Sequence, residues 1–173
     1  LGARGTRCNA LFSGGTNLAE MHNIADKVRD HGWHLQLLVD VDARPDIVGK
    51  IANFGLPVVV DHFGHLPAVS ALQSKGFQNL LSLLREGRVW VKMSGAYRIS
   101  AQRKHYTDVA PLAEALLRAN ESHLVWGSDW PHPAIASPMT DDTDILDALA
   151  AWLSPEQWKK VLVDNPQRLY WSD

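Results

Sequence analysis

The chain has 173 residues, 46% hydrophobic and 21% charged, the balance of an ordinary globular protein with enough apolar material for a core, which sets disorder aside. No apolar run approaches the roughly 20 residues of a membrane-spanning helix, and the opening LGARGTRCNA lacks the basic-then-apolar layout of a signal peptide, so the cytoplasm is the expected compartment and no membrane partner is expected. A formal net charge of -2 gives no global attraction to nucleic acid or anionic lipid, so the expected partner is a small molecule.

The first predicted strand is TRCNALF, residues 6–12. Its Cys8 is the lone cysteine, unable to form an internal disulfide and without a Cys-His signature of a nucleophile. A helix follows in NLAEMHNIADKVRDHG, with Leu18, Met21, Ala25 and Val28 on one face, Asn17 as N-cap and Gly32 as stop. Strand two is HLQLLV, 34–39, and the helix after it, ARPDIVGKIANFG, has Pro45 in its first turn and Gly55 as terminator. Strand three, LPVVVDH at 56–62, precedes FQNLLSLLREG, a helix with Leu80, Leu81 and Leu84 at helical spacing, closed by Gly87. Strand four, RVWVKMS at 88–94, leads to TDVAPLAEALLRAN, with Leu112, Leu116 and Ala119 behind a Thr107 or Asp108 cap. Strand five is HLVWGSD, 123–129, followed by DTDILDALAAWL, then SPEQWKKVLVDN with a capping-box start at Ser154, Pro155 and Gln157, and a last turn NPQRLY. Trp33, Trp152 and Trp158 fall where helix or sheet faces would bury them.

Nothing in the composition divides the chain, so one domain over residues 1–173 is expected. The strict βα alternation, with runs such as VVVD and VWVK that do not alternate polar and apolar, predicts a parallel sheet covered on both faces. Five such units complete a doubly wound open sheet, or form the last five of a (β/α)8 TIM barrel, which needs about 250 residues in all. The strands end in polar residues: Arg7 and Asn9, Asp61 and His62, Lys92 and Ser94 with Arg98 soon after, Ser128 and Asp129. Convergence from separate units at carboxyl ends favours the barrel. SGGTN at 13–17 lacks the spacing of a dinucleotide or phosphate loop.

The blocks GTRCN, GWHLQLL, VVVDHFGHLP, VWVKMSGAYRIS, LVWGSDWPHP and DNPQRLY, in this order, resemble the amidohydrolase-related family of TIM-barrel hydrolases, in particular its lactonase branch. The resemblance implies that Asp129 is the water-activating base and that His62 lines the substrate site and is a metal ligand in metal-dependent relatives. It implies substrate-carboxylate or carbonyl binding for Arg98 and Arg7. Tyr97, Asn9, His65 and His132 are further candidates for the pocket. The chemistry is coherent by itself: opening a lactone needs a base for water, an electrophile for the carbonyl oxygen, and cations for an acidic substrate. Asp129, flanked by Trp130 and Pro131 at a dry exit, would have raised proton affinity unless an arginine offsets it.

Plainer readings stand beside these. Asp129 alone could be a cap, His62 a satisfied core histidine, Asp61 a loop anchor, Lys92 an inward structural ion pair, and Arg98 the partner of Asp108; Arg4 competes with Arg7. The H-x-H pair of the family's first strand occurs nowhere in the chain, which begins at Leu1. The expectation is therefore that strands one to three are absent, and that the natural polypeptide is longer or this one inactive alone, because open sheet edges invite association. Ser13 and Leu38 stand where the pyrone-dicarboxylate enzymes carry an arginine and an aromatic hydroxyl, which puts a dicarboxylate substrate in doubt. Metal is open: none is required, and a divalent ion such as zinc would have only His62 and Asp129 here, where hydrolytic zinc takes three protein ligands. The leading expectation is lactone hydrolysis by Asp129-activated water on a small carboxylate or lactone. The alternatives are a metal-dependent decarboxylase of the same superfamily and an inactive barrel fragment; a homo-oligomer is compatible with each.

Overall fold

The computed structural model describes residues 2–135 and 139–171. Five strands lie side by side in chain order, every neighbouring pair parallel: β1 (Gly5–Asn9), β2 (His34–Leu38), β3 (Val58–Val60), β4 (Trp90–Lys92) and β5 (Leu124–Val125). Parallel neighbours need crossovers, and helices supply them. α1 (Leu18–Arg29) joins β1 to β2, α2 (Pro45–Val48) joins β2 to β3, and α3 (Ala68–Ala71) with α4 (Lys75–Arg85) joins β3 to β4. α5 (Ala96–Ile99) and α6 (Ala110–Asn120) lie between β4 and β5, and α7 (Asp142–Trp152), α8 (Pro155–Lys159) and α9 (Asn165–Tyr170) follow. None of the described helices is long and apolar enough to cross a membrane.

The strand period of two decides what each face does. Cys8, Leu35, Leu37, Val58, Val60, Val91 and Leu124 point one way and are wholly buried, packing with Met21, Ala25, Leu80, Leu84, Leu112 and Leu116 of the helices into one core. The alternate residues form a different surface: Arg7, Gln36, Asp61 and Lys92 beside a small apolar patch of Val59, Trp90 and Val125. The second face is covered at Val59, Asp61, Trp90 and Val125 but is not apolar throughout. It is polar where β1, β2 and β4 each contribute one long side chain, Arg7, Gln36 and Lys92, to one buried carboxylate, Asp61, just past β3.

Local signals account for the helix starts. Asn17 accepts the Glu20 backbone N–H at 3.0 Å and Glu20 accepts that of Asn17 at 2.9 Å, a reciprocal capping box, and Ser154 with Gln157 repeats it at α8. Four expectations need correction. The strands are shorter than the apolar runs, because pairing stops where the chain turns into its loops. The 45–55 segment is not one helix but α2 and a separate turn at Ile51–Asn53, since Gly49 closes the first helix. Neither Thr107 nor Asp108 caps α6, whose N-cap position is Val109; Asp108 instead accepts from Ser100 Oγ and the Ala101 N–H. The two C-terminal pieces run continuously from α8 through a π turn at Lys160–Asp164 into α9. Trp33, Trp152 and Trp158 are half-buried.

Candidate active site

The carboxyl ends of β3, β4 and β5 bring the predicted residues together. Past β3 the chain passes through Asp61 and turns at His62–Gly64, with φ of 51° at His62, 58° at Phe63, 91° at Gly64 and 55° at His65. Three non-glycine residues in the left-handed region are costly, and surrounding packing must hold them. His62 is 2% exposed, and its Nδ1 lies 2.9 Å from Ser94 Oγ, just past β4. Gly95 has φ of 63°, and a Cβ there would lie 2.7 Å from His62 Nδ1, so glycine is what lets the imidazole seat beside this backbone. α5 then presents Tyr97 and Arg98. Asp129 follows β5 with φ of 69°.

Asp129 Oδ2 accepts two hydrogen bonds, from Tyr97 Oη at 2.7 Å and from Arg98 Nε at 2.5 Å. Its Oδ1 lies 3.7 Å from His62 Nε2. Arg98 also donates to the Pro133 carbonyl at 3.0 Å, so its partners are Asp129 and Pro133 rather than Asp108. Burial pushes the Asp129 carboxyl up, but the hydrogen bonds from Tyr97 and Arg98 and the nearby positive charge outweigh it and hold the group below the usual carboxylate range. That is the arginine offset weighed from the sequence. Trp130 does not wall off the carboxylate: it is 74% exposed. Burial lowers His62 to about 4 against opposition from Asp61 and Asp129, so its ring is neutral at pH 7. Burial also lowers His65, and burial with the neighbouring Asp129 raises Tyr97.

A cavity of about 200 Å³ opens on this cluster, lined by Arg7, Asn9, His62, His65, Arg98 and Asp129 among others. A roomier hollow of about 660 Å³ lined in part by Tyr97 contains neither His62 nor Asp129, so these two candidates face the smaller one. Arg7 reaches the cavity while donating to Asp61 Oδ2 at 2.8 Å, and Asn9 Oδ1 accepts the Leu11 N–H at 3.0 Å, shaping the loop after β1. The Asp61 carboxylate gathers strand side chains where its plainer reading had it bond the loop, taking Arg7 at 2.8 Å, Gln36 at 3.0 Å and Lys92 at 3.8 Å. One participant escaped sequence reasoning: Gln36, whose signal was an amide among the leucines of HLQLL.

Among the described residues no three His, Cys, Asp or Glu side chains gather to hold a metal ion. His62 and Asp129 are two donors where hydrolytic zinc takes three from the protein, and each already has a protein partner, so no chemical step is assigned to a metal.

The depressed His62 fixes a sign. Between about 4 and its ordinary 6.5 the unfolded chain binds a proton there that the folded chain does not, so stability rises with pH across that window and is lost on acidification. Asp129, also depressed, loses its contribution in the same direction at lower pH. The expected result is a urea midpoint that falls between pH 7 and pH 4.5 and falls less in His62→Gln; equal pH slopes in the two proteins would refute the assignment.

Parallel strands that deliver a carboxylate, a neutral imidazole and a guanidinium to one cavity at their carboxyl ends define an α/β protein of the strand-end-site class. The amidohydrolase family profile matches residues 1–171, and the chain belongs to the amidohydrolase family. It is 36% identical over 151 residues to a 4-sulfomuconolactone hydrolase from Rhizobium radiobacter, covering 82% of this chain and 50% of the relative. A Pseudomonas putida structure, named as a proposed 2-pyrone-4,6-dicarboxylic acid hydrolase, superposes with a TM-score of 0.80 at 30% identity, covering 96% of this chain and 63% of that one. A Burkholderia multivorans amidohydrolase with bound zinc shares the fold, with a TM-score of 0.69 at 18% identity and coverage of 96% of this chain and 64% of that one. The chain spans from 46% to 60% of the length of the curated lactone-hydrolase relatives it matches.

Proposed function

We propose that this chain carries the base, imidazole and guanidinium of a hydrolase that opens the lactone of a small organic acid. One observation carries the reading: Asp129 is pinned at Oδ2 by Tyr97 and Arg98, leaving Oδ1 turned toward a neutral His62 across 3.7 Å at the cavity. An ionised, oriented carboxylate with one oxygen facing the cavity is equipped to take a proton from water. His62, fixed by Ser94, orients that water or the substrate. The water oxygen adds to the lactone carbonyl, the ring C–O bond breaks, and the departing alkoxide regains the proton held by Asp129, giving a hydroxy acid.

Arg98 polarises the carbonyl or binds a carboxylate, and Arg7, with Asn9 on the same strand, receives an acidic substituent at the cavity rim. The names of the relatives, a sulfonated lactone and a dicarboxylated pyrone, support an anionic substrate. We read residues 1–173 as one unit, the last five βα units of a (β/α)8 barrel. Support comes from the strand order and from the outer edges of β1 and β5, which pair with nothing among the described residues. Ring opening releases one acid equivalent, so acid titration at constant pH on a panel of carboxylated and sulfonated lactones tests the function in the polypeptide that carries these residues. Saturable acid release is the expected result; none on any lactone, from protein folded by circular dichroism, overturns it.

A further inference from the structure

The cluster around Asp129 continues outward through side chains that touch no reacting atom. The Tyr97 oxygen that donates to Asp129 Oδ2 at 2.7 Å lies 3.0 Å from His132 Nδ1 on its other side, with the two rings edge to face at 5.4 Å. His132 Nε2 lies 3.2 Å from Oδ1 of Asp142, the first residue of α7. His132 is 5% exposed, sits at φ of 54°, and its N–H donates to the Asp129 carbonyl at 2.8 Å, so ring and base belong to one tight loop.

A phenol has one proton to give and lone pairs to receive with. It can point that proton at Asp129 or at His132, not at both. The carboxylate is nearer and ionic, and a charge-assisted bond outcompetes a neutral one. With the proton committed to Asp129, His132 Nδ1 has to be the donor to the phenol oxygen. Asp142 holds the far edge of the ring, its Oδ1 3.2 Å from Nε2.

We propose that His132 is a positioning residue for the base: donating from Nδ1 to Tyr97 and braced by Asp142, it keeps the Tyr97 proton aimed at Asp129. If the ring presented a lone pair instead, the phenol would turn toward it, and Asp129 Oδ2 would keep only Arg98. The carboxylate would then lose one of the two bonds that orient its other oxygen toward the cavity. The kinetic consequence rests on the hydrolase reading above; the direction of the Tyr97–His132 hydrogen bond does not.

Two measurements test this. Nitrogen-15 NMR of the labelled protein is expected to show His132 Nδ1 protonated, with an Nδ1–H signal that is lost to exchange in Tyr97→Phe. In turnover, His132→Ala is expected to lower kcat about tenfold and leave KM within about twofold. His132→Asn, whose amide nitrogen approximates Nδ1, restores most of that loss. In the Tyr97→Phe background His132→Ala adds nothing further, because both changes remove one linkage. An unprotonated Nδ1, or a His132→Ala effect that simply adds to that of Tyr97→Phe, overturns the proposal. A wild-type protein with no turnover but a protonated Nδ1 overturns the hydrolase reading and leaves the positioning intact.

Discussion

Asp129→Asn is expected to lower kcat by about three orders of magnitude, within the range general-base catalysis contributes, while KM changes little. The substitution is nearly isosteric, and the surroundings decide how the amide sits. Tyr97 and Arg98 both donate toward the Oδ2 position, so the amide oxygen takes that place and the NH2 turns toward His62. The two strongest contacts of the side chain survive and the fold is kept. What disappears is the lone pair of an ionised oxygen aimed into the cavity, the group proposed to accept a proton from water at pH 7. His62 does not replace it, because its Nδ1 is committed to Ser94 and its low proton affinity makes it a weak base. Hydroxide partly substitutes for a missing base, so residual activity in Asp129→Asn should climb with pH where the wild type is flat. Initial rates on the best lactone of the panel, with a urea midpoint as control for folding, give the comparison. A loss of less than about tenfold would remove Asp129 from the role of base, since general-base catalysis contributes at least that much.

The sequence carried the repeating architecture because hydrophobic period is a local property. Leu80, Leu81 and Leu84 had to share a helix face, and VVV and VWV had to be strands, whatever the tertiary context. The candidate residues Asp129, His62, Arg98 and Arg7 were legible too, and the structure brings the four to one cavity. Their pairing was not. Whether Arg98 meets Asp108 or Asp129 depends on α5, a four-residue helix too short to announce itself by period, which turns Arg98 back toward β5. The positive φ at His62, Phe63, His65 and Asp129 was illegible for the same reason: Asp and His tolerate it better than most side chains, but only the packed site imposes it at these positions. The dry exit expected at Trp130 failed because an aromatic neighbour in sequence says nothing about which way its ring points. The proton affinity of Asp129 was a balance of burial against donors, and only the geometry of Tyr97 and Arg98 decides its sign.

Asp61→Ala should destabilise the fold by about 3 kcal/mol, near the lower end of what removing one partner of a buried ion pair costs. Asp61 is wholly buried and gathers Arg7 from β1, Gln36 from β2 and Lys92 from β4, so one carboxylate satisfies donors from three other strands. Without it two cations face each other across the polar side of the sheet, and the Gln36 amide loses its acceptor. The cost stays at the lower end because the Arg7 side chain is 45% exposed and can turn to water. That movement has a functional consequence: Arg7 lines the cavity in a direction set by Asp61, and releasing it should raise KM for an acidic lactone more than it lowers kcat. Asp61→Asn keeps an acceptor for Gln36 without the charge and should fall between wild type and alanine in urea midpoint. A separate readout comes from His62, whose proton affinity the Asp61 charge raises. Removing that charge should move the His62 titration, followed by NMR, further below about 4. An Asp61→Ala protein with an unchanged urea midpoint and an unmoved His62 titration would mean that the carboxylate neither anchors the four strands nor acts on the site beside it.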